Sequence, residues 1–344
     1  HYESEGIDRL HIDLPPAHNR LIEAVAENQP NTVVVLTNGS AVAMPWVDHV
    51  PAIVEAWLGG QAGAGAIADV LFGKVNPSGK LAETFPVRLE DTPAFLNFPA
   101  EDGEVLYGER IFVGYRWYDA RSIAPLFPFG HGLSYTEFTY SDLDLSAERM
   151  TDADSLTVAV TVTNSGSMAG KEVVQLYVRD LEASVRRPDK ELRAFGKVEL
   201  GPGESRTVKF QLTKRDFAYY STRHGRWLAE SGDFEILVGA SSRDIRQRHT
   251  VTLQSTEELN YRFSEYTFFR EFWSNRELRP LLIELMPNWF ASRAGDGQAP
   301  ETVVIEDFIQ DQPLIKFPYF TAGEVSADQV KAFVARCNTL TFTP

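Results

Sequence analysis

A series of strand-length segments between residues 156 and 253 constrains the fold more than any other feature of the sequence. Residues 156–163 (LTVAVTVT) alternate regularly, and a period of two predicts a β-strand with one buried face. Turn signals follow at residues 164–166 (NSG), 201–203 (GPG) and 231–232 (SG). Strands separated by turns at this spacing predict a β-sandwich, here without an inter-sheet disulfide because the chain has one cysteine. The predicted strands cover residues 156–163, 172–179, 191–200, 205–212, 233–240 and 251–253.

The first 134 residues follow a different pattern, in which helical periods alternate with a buried strand. Residues 32–37 (TVVVLT) are mostly β-branched and do not alternate, as is typical of a parallel strand buried on both faces. Residues 61–72 are rich in alanine and glycine, which predicts a helix whose backbone packs closely against its neighbours. This alternation indicates a layered α/β domain. Helices are predicted at residues 15–28, 51–58 and 61–72, and strands at 32–37 and 81–85.

Aromatic residues concentrate between residues 107 and 129, among glycines and prolines, so this segment is expected to pack rigidly rather than to serve as a linker. The composition changes near Tyr135, and we therefore place a boundary after Ser134. After Gln254 the pattern becomes mixed and helical. Three regions are predicted, covering residues 1–134, 135–254 and 255–344. Helices in the last region are predicted at 263–274, 279–286 and 327–335.

Composition argues against several classes of function. The 344 residues are 43% hydrophobic and 24% charged, as in an ordinary globular protein, and no apolar run reaches the length of a membrane span. The net charge is -15 without a basic patch, so a nucleic-acid partner is not expected and an anionic substrate is disfavoured. Cys337 is the single cysteine, and no cysteine and histidine set has metal-ligand spacing. No signal peptide is visible, and the sequence leaves both the compartment and homo-oligomerisation open.

The run of residues 3–9 (ESEGIDR) carries the most suggestive chemistry. It places two carboxylates, Glu3 and Glu5, beside Gly6, which permits a tight loop. Glycoside hydrolysis uses a pair of carboxylates that usually come from different parts of a protein. Charged residues in a loop are most often simply solvated, so the pair is weak evidence alone. Because the run stands where no domain is expected to begin, we expect a further part of the protein to precede it.

Residues 5–9, followed by Leu14 and Pro15, resemble the acid/base loop of glycoside hydrolase family 3, which includes many β-glucosidases and β-xylosidases. Three further runs resemble the same family in the same order, and the last of them is the most specific. The resemblance covers roughly residues 1–255, and the remaining tail resembles the C-terminal segment of some members. The three runs are residues 71–81 (LFGKVNPSGKL), 111–119 (IFVGYRWYD) and 125–136 (PLFPFGHGLSYT).

The resemblance implies a fold and a missing partner. Family enzymes combine a (β/α)8 barrel, an α/β sandwich domain and often a fibronectin type III-like domain. This chain would supply the C-terminal half of the α/β sandwich, the type III-like domain and a mixed helical tail. The family's aspartate nucleophile lies on the barrel, in a Ser/Thr-Asp-Trp type motif that this sequence lacks. The N-terminal barrel portion of the same enzyme is therefore the expected partner, and the chain without it is expected to be inactive.

The resemblance also implies roles for individual residues. Glu5 would be the general acid/base, with Glu3 on the same loop as the alternative. Asp8 and Arg9 are predicted to form an ion pair that shapes this loop. Tyr107 and Glu109, in a second acidic and aromatic loop, are candidate substrate-binding residues, although packing between domains is the alternative for them. No metal or cofactor is expected, because both steps of such a hydrolysis are driven by carboxylates.

Three functions remain open. The leading interpretation is part of a retaining β-glycosidase that acts on a terminal β-D-glucoside or on an oligosaccharide. A β-xylosidase of the same family is an alternative, since specificity would lie mostly in the barrel. A non-catalytic module that binds carbohydrate or protein is the alternative from another class. Elsewhere, Trp46 is expected in the core, His131 in a tight turn, and Asp189 and Lys190 among ordinary surface charges.

Overall fold

A computed structural model of the chain describes residues 2–4, 6–222, 224–257, 262–294 and 299–340. The chain forms two compact units. One unit comprises residues 1–219 and 229–255, and the other comprises residues 220–228 and 256–344. The three-region division drawn from the sequence stays a prediction.

The first part of the larger unit is an α/β layer, as the sequence predicted. Strands β1 and β2 pair in parallel, with Val33 opposite Ala52. Helix α1 begins directly after Pro15, and the proline at its first position has no N–H to leave unpaired. Trp46 is fully buried in the core beside these strands, as expected. The elements are α1 (Pro16–Asn28), β1 (Val33–Leu36), β2 (Ala52–Glu55), α2 (Gly63–Leu71) and α3 (Tyr115–Ala120).

Three predictions for this layer were wrong. The helix predicted at 51–58 is strand β2, because its β-branched Ile53 and Val54 pair with β1. The strand predicted at 81–85 forms an isolated bridge, between Phe85 and Phe127, and Pro86 then removes the next backbone donor. Helix α2 was expected to pack closely, yet none of its residues is buried.

The rest of the larger unit is the β-sandwich that the alternating segments predicted. One sheet has the strand order β4-β12-β11-β6-β7 and the other β3-β5-β8. Apolar side chains from both sheets form one core, in which Leu156, Val158, Val160 and Val162 are fully buried. The sequence missed β3, whose alternation is interrupted by a register shift between Ser141 and Asp144. The strands, with the short helix α4 (Lys214–Phe217), are β3 (Phe138–Leu145), β4 (Arg149–Thr151), β5 (Leu156–Asn164), β6 (Gly170–Asp180), β7 (Glu191–Leu200), β8 (Ser205–Leu212), β9 (Tyr219–Ser221), β10 (Arg226–Leu228), β11 (Gly232–Ser241) and β12 (Asp244–Gln254).

The smaller unit is mainly helical and has an aromatic core. The rings of Phe269 and Phe317 stack in parallel with centroids 4.9 Å apart. Cys337 is fully buried, and burial raises the pKa of its thiol to about 11. The helix predicted from residue 263 begins only at Phe269, because the N–H and the carbonyl of Phe263 are bonded to the Asn338 side chain. The helices are α5 (Phe269–Ser274), α6 (Arg279–Leu285), α7 (Pro287–Ala291), α8 (Asp307–Gln310), α9 (Phe317–Phe320) and α10 (Ala327–Cys337).

The runs that carry the family resemblance connect the α/β layer to the sandwich. Asn76 accepts hydrogen bonds from the Ser134 hydroxyl (2.9 Å) and the Tyr135 N–H (2.8 Å), and it donates to the Ala169 carbonyl (3.0 Å). Gly130 adopts a positive φ of 80°, and a side chain there would collide with Gln175. These residues therefore have a structural explanation that does not require contact with a substrate.

Two lysines, Lys80 and the buried Lys190, form ion pairs at this junction. The Lys80 ammonium donates to the Gly132 carbonyl (2.8 Å) and pairs with Glu172 (3.2 Å). Lys190 was expected at the surface, yet it is buried and its ammonium lies 2.6 Å from Asp119. Asp119 also pairs with Arg243 (2.7 Å). The expectation for Lys190 was wrong because the sequence does not show that α3 brings a buried carboxylate to it.

His131 lies in the turn that joins the two parts. Its ring stacks on Phe127, with centroids 5.5 Å apart, and its backbone N–H donates to the Pro128 carbonyl (3.1 Å). Burial and then the nearby Lys80 charge lower the pKa of His131. The imidazole is therefore kept neutral in this turn over a wider pH range than a solvated histidine.

Candidate functional site

The carboxylate of Glu3 is held by the turn that follows strand β1. The Gly39 N–H donates to both of its oxygens, at 2.9 Å and 3.1 Å, and the Ser40 N–H donates to one of them at 3.2 Å. The Ser40 hydroxyl lies 3.4 Å from the same oxygen. Successive backbone N–H groups in a turn form an anion-binding concavity, and here Glu3 occupies it.

The Arg9 side chain binds the same turn. Its guanidinium lies 3.4 Å from Glu3 and 3.4 Å from the Ala41 carbonyl, and it also contacts the Ser40 hydroxyl. The predicted ion pair between Asp8 and Arg9 is therefore wrong, since Arg9 pairs with Glu3 instead and Asp8 is exposed. We call Glu3, Arg9 and residues 39–41 the loop clasp.

Glu5, the predicted general acid/base, lies outside the described residues. Glu3, the alternative, accepts hydrogen bonds on both oxygens from groups of its own chain. A general acid/base must reach the oxygen of a substrate or a water. The contacts of Glu3 are those of a structural anchor.

The sequence reasoning missed two further carboxylates, Glu55 and Glu83. Burial raises the pKa of Glu83, while the Ala41 N–H and the Arg9 charge oppose this rise. Burial also raises the pKa of Glu55, although one of its oxygens accepts a hydrogen bond from the Trp57 N–H (2.9 Å). The other oxygen of Glu55 is buried, and the Asn38 side chain also opposes the rise in the pKa of Glu55.

Glu55 could have been found from the sequence if residues 52–55 had been predicted as a strand. It ends β2, and Asn38 follows the end of the adjacent parallel strand β1. Side chains that follow the carboxyl ends of parallel strands meet at one edge of the sheet, which is where ligands bind in open α/β folds. The mistaken helix at 51–58 concealed this signal.

A cavity of about 490 Å³ adjoins the loop clasp and lies wholly within the larger unit. Burial, together with the charges of Asp91 and Glu83, raises the pKa of Tyr118 to about 12. The hydroxyl of Tyr115 accepts a hydrogen bond from the Leu192 N–H (2.7 Å). The lining of the cavity includes Arg9, Ser40, Glu83, Tyr115, Arg116 and Tyr118.

Tyr107 and Glu109 lie in a separate loop and do not line the cavity. The Arg110 N–H donates to the Tyr107 carbonyl (3.0 Å), which closes a tight turn. Tyr107 is 78% exposed to solvent. The structure thus places Tyr107 as an open aromatic surface, and it does not bring the pair to the loop clasp.

Neither a metal cluster nor a membrane-spanning helix occurs in the part of the chain that the structure describes. Among residues 2–4, 6–222, 224–257, 262–294 and 299–340, no three His, Cys, Asp or Glu side chains are grouped as a metal site would require. Within the same ranges, no helix has both the length and the apolar character to cross a membrane.

Comparison with protein families gives two matches. Residues 1–135 match the glycosyl hydrolase family 3 C-terminal domain, and residues 172–242 match the fibronectin type III-like domain. This chain carries the C-terminal portion of a glycoside hydrolase family 3 protein. The order of the two matches is the one implied by the sequence resemblance, and the fold class is confirmed.

Curated relatives support the same family. The chain is 50% identical over 337 residues to thermostable beta-glucosidase B of Acetivibrio thermocellus, covering 98% of this chain and 44% of that protein. It is 47% identical over 256 residues to beta-glucosidase BoGH3A of Bacteroides ovatus, covering 73% of this chain and 34% of that protein. The chain therefore spans less than half the length of these relatives.

Solved structures agree. A glucose complex of the Kluyveromyces marxianus beta-glucosidase superposes with a TM-score of 0.70 at 45% identity, over 74% of this chain and 30% of that one. The family 3 beta-glucosidase of Bifidobacterium adolescentis gives a TM-score of 0.73 at 42% identity, over 82% of this chain and 41% of that one.

Proposed function

We propose that this chain is part of a retaining β-glycosidase that hydrolyses terminal β-D-glucosides, and that Glu5 is its general acid/base. The names of the relatives support the substrate class, since both curated proteins are beta-glucosidases. The nucleophile would be an aspartate on a barrel portion that this sequence does not contain. The expected partner is that barrel portion of the same enzyme.

The proposed chemistry has two steps. In the first, the aspartate attacks the anomeric carbon while Glu5 protonates the departing glycosidic oxygen, which leaves a covalent glycosyl-enzyme. In the second, a water molecule attacks the same carbon and releases the aspartate, while Glu5 removes a proton from that water. The two carboxyl groups must stand about 5 Å apart for this sequence of events. Burial against the barrel would raise the pKa of Glu5 so that it holds its proton at neutral pH.

The observation that carries the assignment to Glu5 is the engagement of Glu3. Residues 3–9 offer two glutamates as acid/base, and the carboxylate of Glu3 is occupied by Gly39, Ser40 and Arg9. A glutamate that must change partners twice per turnover cannot also serve as a fixed anchor. This engagement of Glu3 supports Glu5 as the residue that transfers the proton.

Chemical rescue tests this assignment in the complete enzyme. We expect Glu5→Ala to lower kcat for a nitrophenyl β-glucoside about 10²- to 10⁴-fold. Azide should restore turnover of a substrate with a good leaving group by replacing the missing base. Glu3→Ala should not respond to azide. Rescue confined to Glu3→Ala would overturn the assignment, and a higher kcat/KM for the β-xyloside than for the β-glucoside would favour the xylosidase alternative.

We also propose, on separate grounds, that Tyr107 and Glu109 line an outer subsite. The support is that Tyr107 is 78% exposed, since an aromatic residue that stacks on a sugar must be accessible. Packing between domains is the alternative, and truncation of the Tyr107 side chain distinguishes the two.

A further inference from the structure

We propose that Glu3 and Arg9 are positioning residues, which hold the acid/base loop by binding both of its ends to the turn after β1. The inference rests on the proposed role of Glu5, which lies two residues from one anchor and four from the other in the sequence. Neither residue needs to touch the substrate for this role.

The turn that receives both anchors is itself well fixed. It follows β1, whose Val34 and Leu36 are buried in the core of the α/β layer. Asn38 is 5% exposed, and its side-chain amide donates to the Ser40 carbonyl at 2.9 Å. The Gly39 and Ser40 N–H groups that bind Glu3 therefore belong to a turn that is stabilised by the buried Asn38 side chain.

The second anchor continues along the same segment. Beyond Arg9, the Ala43 N–H donates to the Ile12 carbonyl (2.8 Å), and Asp13 forms a parallel bridge with Ala43. Residues 9–13 therefore run beside residues 41–43. Glu3 and Arg9, the two ends of the run at residues 3–9, are therefore held on one short stretch of backbone.

The electrostatics of the clasp explain why an arginine is suited to this position. The Arg9 guanidinium contacts an anion, a hydroxyl and a carbonyl together, and its charge also acts on Glu83. A planar guanidinium can reach several acceptors in a fixed fork, whereas a lysine ammonium is a single point charge. Arg9→Lys therefore keeps the positive charge but removes the planar group that contacts several acceptors at once.

Loss of the clasp should have a particular kinetic signature. A displacement of about 1 Å in a reacting group can cost about 10²-fold in rate. Protonation by a general acid matters most for a leaving group of high pKa and least for one that departs without help. A misplaced acid/base should therefore slow poor substrates selectively, while a general structural defect should slow all substrates alike.

The experiment compares Glu3→Gln and Arg9→Lys with Glu204→Gln as a matched control. Glu204 has the same local chemistry at a turn of the sandwich, since its carboxylate accepts from the Gly201 N–H (2.9 Å) and from Arg206 (2.8 Å). In the complete enzyme, kcat/KM is measured for aryl β-glucosides of increasing leaving-group pKa. In this chain, hydrogen–deuterium exchange is measured for the peptide spanning residues 2–12.

We expect Glu3→Gln and Arg9→Lys to lower kcat/KM by about 10- to 10²-fold for the poorest leaving group, because a small displacement of the acid/base costs roughly this factor in rate. For dinitrophenolate, we expect the loss to be less than about threefold. The exchange rate of the peptide should rise about tenfold. Each variant loses roughly the free energy of one charge-assisted hydrogen bond, and that loss corresponds to about a tenfold change in the equilibrium for opening the loop. Glu204→Gln should change neither quantity.

Two results would overturn the proposal. Unchanged exchange in both variants would mean that the clasp does not hold the loop. Raised exchange with an equal loss for every leaving group would mean that the clasp is structural without positioning the acid/base. Failure of the proposed function is recognised separately, because Glu5→Ala would then lack azide rescue while the exchange result still reports on the clasp.

Discussion

At the scale of single residues, the contacts of each carboxylate decide its role. Glu3 is bound by backbone N–H groups and an arginine, whereas the pKa of Glu55 is raised mainly by burial. Both lie at the edge where β1 and β2 end, together with Asn38. Residue type alone would treat the two glutamates as equivalent, and their surroundings make them different.

Glu55 should make the stability of the chain depend on pH. Burial raises the folded-state pKa of Glu55 above its ordinary value, so the folded state binds this proton more tightly than the unfolded state does. The contribution is fully present below the unfolded pKa and is lost as the pH rises through the folded pKa. We expect Glu55→Gln to be more stable than the parent chain at pH 7, with the difference disappearing towards pH 4.

Urea denaturation of both proteins at the two pH values measures this difference. Asp154→Asn serves as a control whose stability should depend on pH in the opposite direction. Hydrogen bonds from Thr151 lower the pKa of that carboxylate, so its contribution to stability is lost as the pH falls. A constant stability difference between Glu55→Gln and the parent at both pH values would contradict the prediction.

Tyr107 should affect long substrates selectively if it forms an outer subsite. We expect Tyr107→Ala in the complete enzyme to raise KM for a β-linked oligosaccharide roughly three- to tenfold, the value of one aromatic contact. KM for a nitrophenyl β-glucoside should not change. Tyr319→Ala is the matched control, because Tyr319 is a similarly exposed tyrosine, 86% accessible, on the helical tail. Equal KM values for all three proteins would favour the alternative of a packing role.

At the scale of elements, the junction between the α/β layer and the sandwich depends on close backbone approach. A Cβ on Gly132 would collide with the Gly79 carbonyl oxygen, whereas a Cβ on Gly79 would meet nothing within 4 Å. The Gly132 position therefore excludes side chains while its neighbour across the contact does not.

This difference gives a paired test. We expect Gly132→Ala to lower the free energy of unfolding by about 2 kcal/mol or more, because the backbone of one segment must move. Gly79→Ala should stay within about 0.5 kcal/mol of the parent. Equilibrium urea unfolding measures both, and similar losses in the two variants would show that the contact is not tight.

The elements themselves were predictable to different degrees. Residues 156–163 were correctly predicted because every second side chain enters the core, which leaves a strong period in the sequence. Strand β2 is four residues long and was mistaken for a helix, since so short an apolar run has no period to read. Lys190 was misplaced because its partner Asp119 lies 71 residues away in the sequence.

At the scale of the whole molecule, the chain holds part of the proposed machinery. It spans 44% of its thermostable relative, and its sequence has no Ser/Thr-Asp-Trp motif for the nucleophile. We expect the purified chain to give no turnover of a nitrophenyl β-glucoside above the buffer rate.

Addition of the separately produced barrel portion provides the positive arm of this test. We expect the barrel portion to restore hydrolysis when it is mixed with this chain, and not when it is mixed with the Glu5→Ala variant of this chain. Turnover by the chain without the barrel would contradict the prediction, and binding of oligosaccharide without any restored turnover would favour the non-catalytic module.

The sequence by itself determined the family, the layered and sandwich architectures, and the presence of two candidate glutamates in one loop. These features depend on residues that are close together in the sequence, so an alternating period or a family motif can be recognised without the structure. Only the tertiary structure decided that Glu3 and Arg9 grip the turn at residues 39–41, and that Glu55 and Glu83 are buried nearby. Those partners are more than 30 positions apart in the sequence, and hydrogen bonding and desolvation depend on distance in space.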